Sequence, residues 1–193
     1  VLALQATGAR LSTARYHAQS ERRQCVSFHA AGATFAFEML AIQEIIRVPE
    51  LHSSLLNSEL CLGRMHFRGS QVAVVDFGAL LQAAGSGKQA TGEQRIIVVR
   101  LDGTTVGFLV DSVDSIVHFF GDEVLPIPLL SKARAAMFAG CITKEGLGDI
   151  IFLDHKGILS QAEIVEMRDG HARLYPADTE TGVATHKARR RVY

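Results

Sequence analysis

Neither charge sign is in excess in this sequence: lysine plus arginine and aspartate plus glutamate number 20 each among 193 residues. A neutral chain has no overall attraction to nucleic acid or anionic lipid, so nucleic acid is not expected as a partner. The basic stretch HKARRRVY (186–193) is therefore interpreted as a solvated tail.

Cysteines are few and far apart, at Cys25, Cys61 and Cys141. Their odd number and the absence of any CxxC pair argue against a disulfide framework or a zinc ribbon, and each is interpreted as a reduced thiol in or near the core. No apolar run approaches the ~18 residues of a membrane span, and the first residues lack the apolar segment of a signal peptide. The sequence thus predicts a cytoplasmic protein with no direct membrane insertion.

Catalytic and cofactor motifs are also missing. The sequence contains no P-loop, GxSxG elbow, HExxH pair or glycine-rich nucleotide fingerprint. His52, Cys61 and His66 lie close together in the chain, but their spacing matches no structural zinc pattern. Asp154 and His155 are adjacent on a predicted strand, so their side chains point to opposite faces. We therefore expect a protein that is not an enzyme and that holds no metal or cofactor.

Short apolar runs separated by glycine dominate the chain from Cys25 to about Ser160, and hydrophobic residues make up 48% of the sequence. Five runs are typical of strands: TFAFEML (34–40), QVAVVDF (71–77), RIIVVRL (95–101), TVGFLVD (105–111) and DIIFLD (149–154). LDGTT (101–105) and EGLGD (145–149) indicate hairpin turns. Helices are predicted at ELCLGRM (59–65), preceded by HSSLLNS (52–58), and at LSKARAAMFAG (130–140). Polar extensions are predicted at 1–24, with a short surface helix, and at 163–193.

An internal repeat is the strongest pattern in the sequence. GATFAFEMLAIQEII (32–46) aligns without a gap with GTTVGFLVDSVDSIV (103–117). Further on, GRMHFRG (63–69) parallels GCITKEG (140–146), and VAVVDFGALL (72–81) parallels IIFLDHKGIL (150–159). The repeat predicts two half-barrels of similar design, about 25–90 and 91–162. Short strands without strand–helix alternation favour a pair of small β-barrels.

The same repeat separates residues that the fold needs from residues that are free to serve a function. Gly69 and Gly146 recur because a turn needs them, whereas Arg68 aligns with Glu145 and Phe67 with Lys144. Arg68 is therefore not required by the half-barrel design, and it is a candidate functional residue.

Three motifs in order carry a family resemblance: FxxxGxxFAFEMLxIQEIIRVPE (28–50), LGRMHFRGxxVAVVDF (62–77) and IIVVxLDGxxVGFLVDxV (96–113). Together they resemble the CheW-like domain of bacterial chemotaxis over about 25–162. The resemblance implies a mainly β fold of two tandem SH3-like five-stranded β-barrels with a groove between them. It also implies a non-catalytic scaffold that couples the cytoplasmic tip of methyl-accepting chemoreceptors to the regulatory domain of a CheA-like histidine kinase. Such a protein acts in cytoplasmic arrays at the inner face of the membrane.

The resemblance also implies which residues bind partners. The family's Asn-Leu-Arg-Gly motif matches residues 66–69, where histidine and phenylalanine replace the first two residues, and its Val-Gln-Glu-Ile segment matches residues 42–45. A family glycine near the receptor-binding surface and the start of the second barrel add three more positions. The implied partner-binding set is Ile42, Glu44, Gly63, Phe67, Arg68, Arg95 and Ile96.

Physical chemistry gives these residues a role in partner binding and also offers a purely structural explanation for them. Arg68 at a hairpin tip would present the planar donor fork of its guanidinium to a partner carboxylate, and Phe67 would act as an apolar anchor. Ile42 and Ile96 would form the floor of a groove for a helical hairpin. In the alternative, Arg68 is a solvated turn charge, Glu44 pairs with a nearby arginine such as Arg47, and both isoleucines belong to the core.

Two other functions remain open at this stage. A CheW-like adaptor can serve a chemosensory pathway that controls type IV pili, twitching or another output. A small-molecule sensor using the groove between the barrels would need convergent polar side chains there, and no such set is evident from the sequence.

Overall fold

The computed structural model of the protein describes residues 22–52, 60–81, 92–127 and 135–172, with side chains up to residue 168. The surface helix expected before residue 22 and the basic stretch at 186–193 lie outside these ranges. Within them, no helix is long and apolar enough to cross a membrane.

Strands account for most of the described residues. They are β1 (Arg22–Ala30), β2 (Ala33–Glu38), β3 (Ile42–Arg47), β4 (Cys61–Phe67), β5 (Ser70–Asp76), β6 (Arg95–Leu101), β7 (Thr104–Val110), β8 (Ser112–Phe120), β9 (Phe138–Lys144) and β10 (Gly148–Leu153). The α-helices are α1 (Phe77–Leu80) and α2 (Gln161–Ala172), and short 3-10 turns span Met39–Ala41, Gly121–Glu123 and Ala135–Met137. Each of the five strand-like runs of the sequence lies on a strand over most of its length, which confirms that the fold is mainly β.

The strands form two five-stranded sheets with matching topology. The first sheet has the order β8-β1-β2-β10-β9, and the second has the order β3-β6-β7-β5-β4. Each contains a central hairpin, a parallel pair and a closing hairpin, with β2 parallel to β10 in the first sheet and β5 parallel to β7 in the second. This arrangement confirms the expected pair of small SH3-like barrels.

The two repeats exchange strands, which corrects the expected division into half-barrels. The first sheet takes β1 and β2 from the first repeat and β8 to β10 from the second. The second sheet takes β3 to β5 from the first repeat and β6 and β7 from the second. A boundary near residue 90 therefore separates the sequence repeats and not the two sheets. The physical reason is that the hairpin opening each repeat pairs with the closing strand of the other repeat.

Three hairpins are closed by two-residue turns in which both residues have positive φ. The pairs are Ala31–Gly32 (50° and 80°), Arg68–Gly69 (47° and 80°) and Asp102–Gly103 (43° and 85°). This geometry is that of a type I′ turn, whose twist matches the twist of the flanking strands. Glycine at the second position is needed in each, which explains why it recurs between the repeats.

The core has three apolar clusters, one between the sheets and one inside each sheet. The cluster between the sheets combines residues of both, such as Phe28 and Phe37 of the first sheet with Ile97 and Phe108 of the second. The inner cluster of the first sheet includes Phe119 and Phe152, and that of the second includes Met65, Val74 and Ile96. The central strands are therefore buried on both faces, and their sequences are continuously apolar for this reason.

Both helices predicted from the sequence are wrong where the structure describes them. Residues 61–65 of ELCLGRM lie on β4, and Phe138–Gly140 of LSKARAAMFAG lie on β9, with a 3-10 turn before them. Gly63 and Gly140 have φ values of 154° and 156°, which no helix contains. Residues 53–59 and 130–134 lie outside the described ranges.

The chain also continues as structure beyond residue 162, where only a polar tail was expected. Helix α2 places Ile164 and Met167 in the cluster between the sheets, with 5% and 2% of their surface exposed. Arg64 on β4, itself 3% exposed, donates from Nη2 to the carbonyl oxygen of Met167 at 2.7 Å. Burial lowers the pKa of Arg64 below its usual range. The helix is thus attached to the barrels by both packing and a buried hydrogen bond.

Candidate partner-binding site

The turn between β4 and β5 carries an exposed ion pair. Nη2 of Arg68 donates to Oε2 of Glu44 at 2.8 Å, and the two side chains are 68% and 42% exposed. The guanidinium carbon of Arg68 also lies 5.2 Å from the centre of the Phe67 ring, within the range of a cation–π contact. Glu44, Phe67 and Arg68, all expected to bind partners, therefore form one contiguous surface, here called the hairpin-tip site.

The curvature of the second sheet creates this site. Glu44 lies on β3 at one edge of the sheet, and Phe67 ends β4 at the opposite edge. The two edges meet because the sheet bends into a small barrel. The sequence could not identify Arg68 as the partner of Glu44. Arg47, the partner expected in the structural alternative, lies on the same strand as Glu44, whereas the observed pair is with Arg68.

The backbone holds Arg68 in a conformation that arginine rarely adopts. Its φ of 47° lies in the left-handed region, which costs a residue with a Cβ about 1–2 kcal/mol. Ala31 and Asp102 occupy the same position in the other two-residue turns, so the turn itself imposes the conformation. The turn thus places Arg68 at the exposed tip of the hairpin, where its guanidinium reaches Glu44.

The first sheet has no equivalent of this site. The repeat aligns Glu44 with Ser115 and Arg68 with Glu145. Lys144, which aligns with Phe67, instead forms an ion pair with Glu123 at 2.7 Å. Since the two barrels share their design, the fold does not explain the hairpin-tip site.

Gly63 has a structural explanation. A Cβ added to it would lie 2.7 Å from the carbonyl oxygen of His52, whose backbone pairs with Arg64. Its repeat counterpart Gly140 has the same relation to Leu125, again at 2.7 Å. The missing Cβ allows the segment that contains His52, here called the crossing segment, to approach the edge strand β4 closely. The segment that contains Leu125 approaches β9 in the same way in the other barrel.

Comparison with known proteins places the chain in a family. A model of the CheW-like domain matches residues 24–163. The chain belongs to the CheW-like family. It is 26% identical over 141 residues to the chemotaxis protein CheW of Rhizobium meliloti (strain 1021), a match that covers 70% of this chain and 87% of that protein. The crystal structure of the scaffolding protein TtCheW from Thermoanaerobacter tengcongensis shares the fold with a TM-score of 0.63 at 20% identity, over 75% of this chain and 92% of that one.

Of the two isoleucines carried over from the CheW-like family, one lies in the core and the other is partly buried against it. Ile96 is fully buried within the inner cluster of the second sheet, and Ile42 packs against the cluster between the sheets. The expected groove floor made of these residues is therefore wrong for Ile96, because no surface of its side chain is accessible. Arg95 lies at the start of β6, and its Nη1 donates to the carbonyl oxygens of Gly92 and Gln94 at 3.1 and 2.7 Å.

Exposed apolar side chains that sequence reasoning did not identify lie on the edge strands of the second sheet and in the turn before one of them. Ile45 on β3 is 36% exposed, Leu62 on β4 is 43% exposed, and Leu40, in the 3-10 turn before β3, is 94% exposed. A signal for Leu40 was available, because the repeat aligns it with the polar residue Asp111.

The two histidines and the cysteine considered as metal ligands do not form a group of three that could hold a metal ion. The rings of His52 and His66 meet edge to face, with centres 6.4 Å apart. Across the described ranges, no group of three histidine, cysteine or acidic residues is placed to hold a metal ion. Cys61 instead donates weakly to the carbonyl oxygen of Gly63 at 3.4 Å.

Proposed function

We propose that this CheW-like protein is a non-catalytic adaptor that couples chemoreceptors to a CheA-like histidine kinase in chemotaxis signalling. It would bind the regulatory domain of the kinase and the cytoplasmic tip of the receptor, in cytoplasmic arrays beneath the membrane. Family membership supports the adaptor role, and the scaffold named in the structural comparison is consistent with it.

The observation that carries the proposal is the exposed Glu44–Arg68 pair, whose residues align with Ser115 and Glu145 in the other barrel. Exposed ion pairs contribute only about 0–1 kcal/mol to folding, so stability does not explain this one. When a partner covers the pair, water is displaced, and the remaining donors of Arg68 can bind a partner carboxylate or the last carbonyls of a helix. Phe67 would supply the adjoining apolar contact.

An adaptor of this kind acts by geometry and not by chemistry. It fixes the distance and orientation between receptor and kinase, so each interface needs only moderate affinity. Arrays repeat the contacts many times, and multivalency then increases the overall strength of binding.

The test is a calorimetric titration of the protein with the regulatory domain of the kinase from the same organism, with and without a receptor-tip fragment. Arg68→Ala and Glu44→Ala are each expected to weaken binding of at least one partner about tenfold or more, since truncated charges at interface centres cost ~2 kcal/mol or more. The double variant should lose little more than the worse single variant, because the two residues act as one unit.

Arg100→Ala is the matched control, because Arg100 is an exposed arginine on β6 of the same sheet. It should bind both partners as the unmodified protein does. If the unmodified protein binds neither partner, the adaptor role is wrong. If Arg100→Ala loses as much affinity as Arg68→Ala, the effect reflects overall charge, and the hairpin-tip site is not the interface.

A further inference from the structure

A cavity of about 300 Å³ opens on the first sheet, away from the hairpin-tip site. Phe119 and Phe152 line it, their rings tilted against each other with centres 4.4 Å apart. Val124 and Ala139 add further apolar surface. The volume is at the lower end of the ~300–1,000 Å³ of ligand pockets, so it suits a molecule of about the size of one amino acid.

Charged side chains of both signs line the same cavity. Arg23 and Lys156 contribute positive charges, and Glu38 and Asp154 contribute negative ones. Nε and Nη2 of Arg23 both bind Oε1 of Glu38, at 2.7 and 2.6 Å, so among the described contacts Oε2 of Glu38 is left for a donor from outside. Oδ1 of Asp154 accepts from the backbone N–H of Lys156 at 2.9 Å, and because Lys156 is exposed, its ammonium group can reach a ligand.

The repeat shows that the fold does not require this lining. Glu38 aligns with Leu109, His155 with Phe77, and Lys156 with Gly78. Ala139 aligns with Leu62, so the first sheet has a smaller side chain where the second has a larger one. Of the charged lining residues compared here, only Asp154 aligns with an identical residue, Asp76. In both places the carboxylate accepts a hydrogen bond from a backbone N–H of the following turn. At three of these four aligned positions the first sheet has a polar or charged side chain that the second sheet lacks, and at the fourth it has a smaller side chain.

From this arrangement we infer that the cavity binds a small zwitterion with an apolar side chain, such as a free aliphatic amino acid. Its carboxylate is bound by Lys156 and Arg23, and its ammonium group by Glu38 and Asp154. The side chain lies against Val124 and Ala139, above the nearly buried rings of Phe119 and Phe152. Two positive and two negative groups match a zwitterion, whereas a lone anion or cation would leave one pair unused.

This site is independent of the proposed adaptor role, because it lies on the other sheet and uses none of the hairpin-tip residues. A titration of the kinase domain therefore tests the adaptor role alone. The ligand titration below tests the cavity alone.

The experiment titrates the protein with three related probes, followed by ¹H–¹⁵N NMR and calorimetry. The probes are leucine, 4-methylpentanoate, which lacks the amino group, and 3-methylbutylamine, which lacks the carboxylate. Leucine is expected to saturate and to shift the amide signals of residues 152–156. The other two probes should bind about tenfold more weakly or worse, because each lacks one charged end and loses the charge-assisted contacts that this end makes.

Three variants locate the binding. Lys156→Gln removes an exposed ammonium group without disturbing the core and should weaken leucine binding about tenfold. Ala139→Leu introduces the residue of the second sheet into the cavity and should abolish binding. Lys144→Gln, a lysine of the same sheet outside the cavity lining, should leave leucine binding unchanged.

Several outcomes would overturn the inference. No saturable shift with leucine would show that the cavity has no such ligand. Equal binding of 4-methylpentanoate would show that the ammonium group is not recognised, and unchanged leucine binding by both Lys156→Gln and Ala139→Leu would place the site elsewhere.

Discussion

At the scale of single residues, Gly63 and Gly140 determine how closely the segment crossing each barrel approaches an edge strand. His52 and Arg64 exchange two backbone hydrogen bonds of 2.8 Å, and so do Leu125 and Cys141. Each approach is possible because the neighbouring glycine has no Cβ and adopts a positive φ. The requirement is thus both conformational and steric.

Replacing Gly63 with alanine is expected to destabilise the protein by about 2 kcal/mol or more. The new Cβ would lie 2.7 Å from a carbonyl oxygen and force the crossing segment away from β4. Gly69→Ala is the control, because Gly69 has a positive φ of 80° but no atom near the added Cβ. It should cost only about 1 kcal/mol. Urea unfolding measures both, and equal costs would show that the close approach has no energetic importance.

At the scale of elements, the sequence was most informative where local chemistry decides the structure. RIIVVRL was predicted as a strand and forms β6 over the same residues, 95–101. The Asp102–Gly103 turn is of the Asp-Gly type that two-residue hairpins favour, and the hairpin is confirmed. β-Branched residues and turn signals act over a few positions, so they can be recognised without knowledge of the rest of the chain.

Elements decided by distant contacts were predicted poorly. Cys61 to Met65 have a spacing compatible with a helix, yet β5 pairs with this segment and makes it a strand. Among the described side chains of helix α2, Ile164 and Met167 belong to the cluster between the sheets, and half of the helix residues are polar or charged. Its attachment depends on that cluster and on Arg64, neither of which is near it in sequence.

The packing of α2 predicts unequal effects of two substitutions on this helix. Met167→Ala should destabilise the protein by about 2–5 kcal/mol, because it leaves a cavity between the sheets. Val165→Ala should cost much less, since Val165 is 42% exposed. Thermal unfolding followed by circular dichroism compares them. A similar small effect of both would mean that α2 does not contribute to the stability of the barrels.

At the scale of the whole molecule, the repeat correctly predicted two similar barrels but not the exchange of strands between them. Similarity of sequence shows that two units share a design, and it does not show which copy supplies each strand. The hairpin-tip site was likewise predictable only in part. Its residues could be named, but the pairing of Glu44 with Arg68 depends on closure of the second barrel.

The exchange predicts that neither repeat folds alone. Residues 22–90 would hold two strands of the first sheet and three of the second, and residues 91–172 the remainder. Each fragment would expose the unpaired edge of a parallel pair and half of the apolar cluster between the sheets, and both are unfavourable in water. We expect each fragment alone to show no cooperative thermal transition. An equimolar mixture should regain one, because β2 can then pair with β10 and β5 with β7. A cooperative transition in either isolated fragment would show that one repeat closes a barrel by itself, and that the exchanged strands are not what joins the two halves.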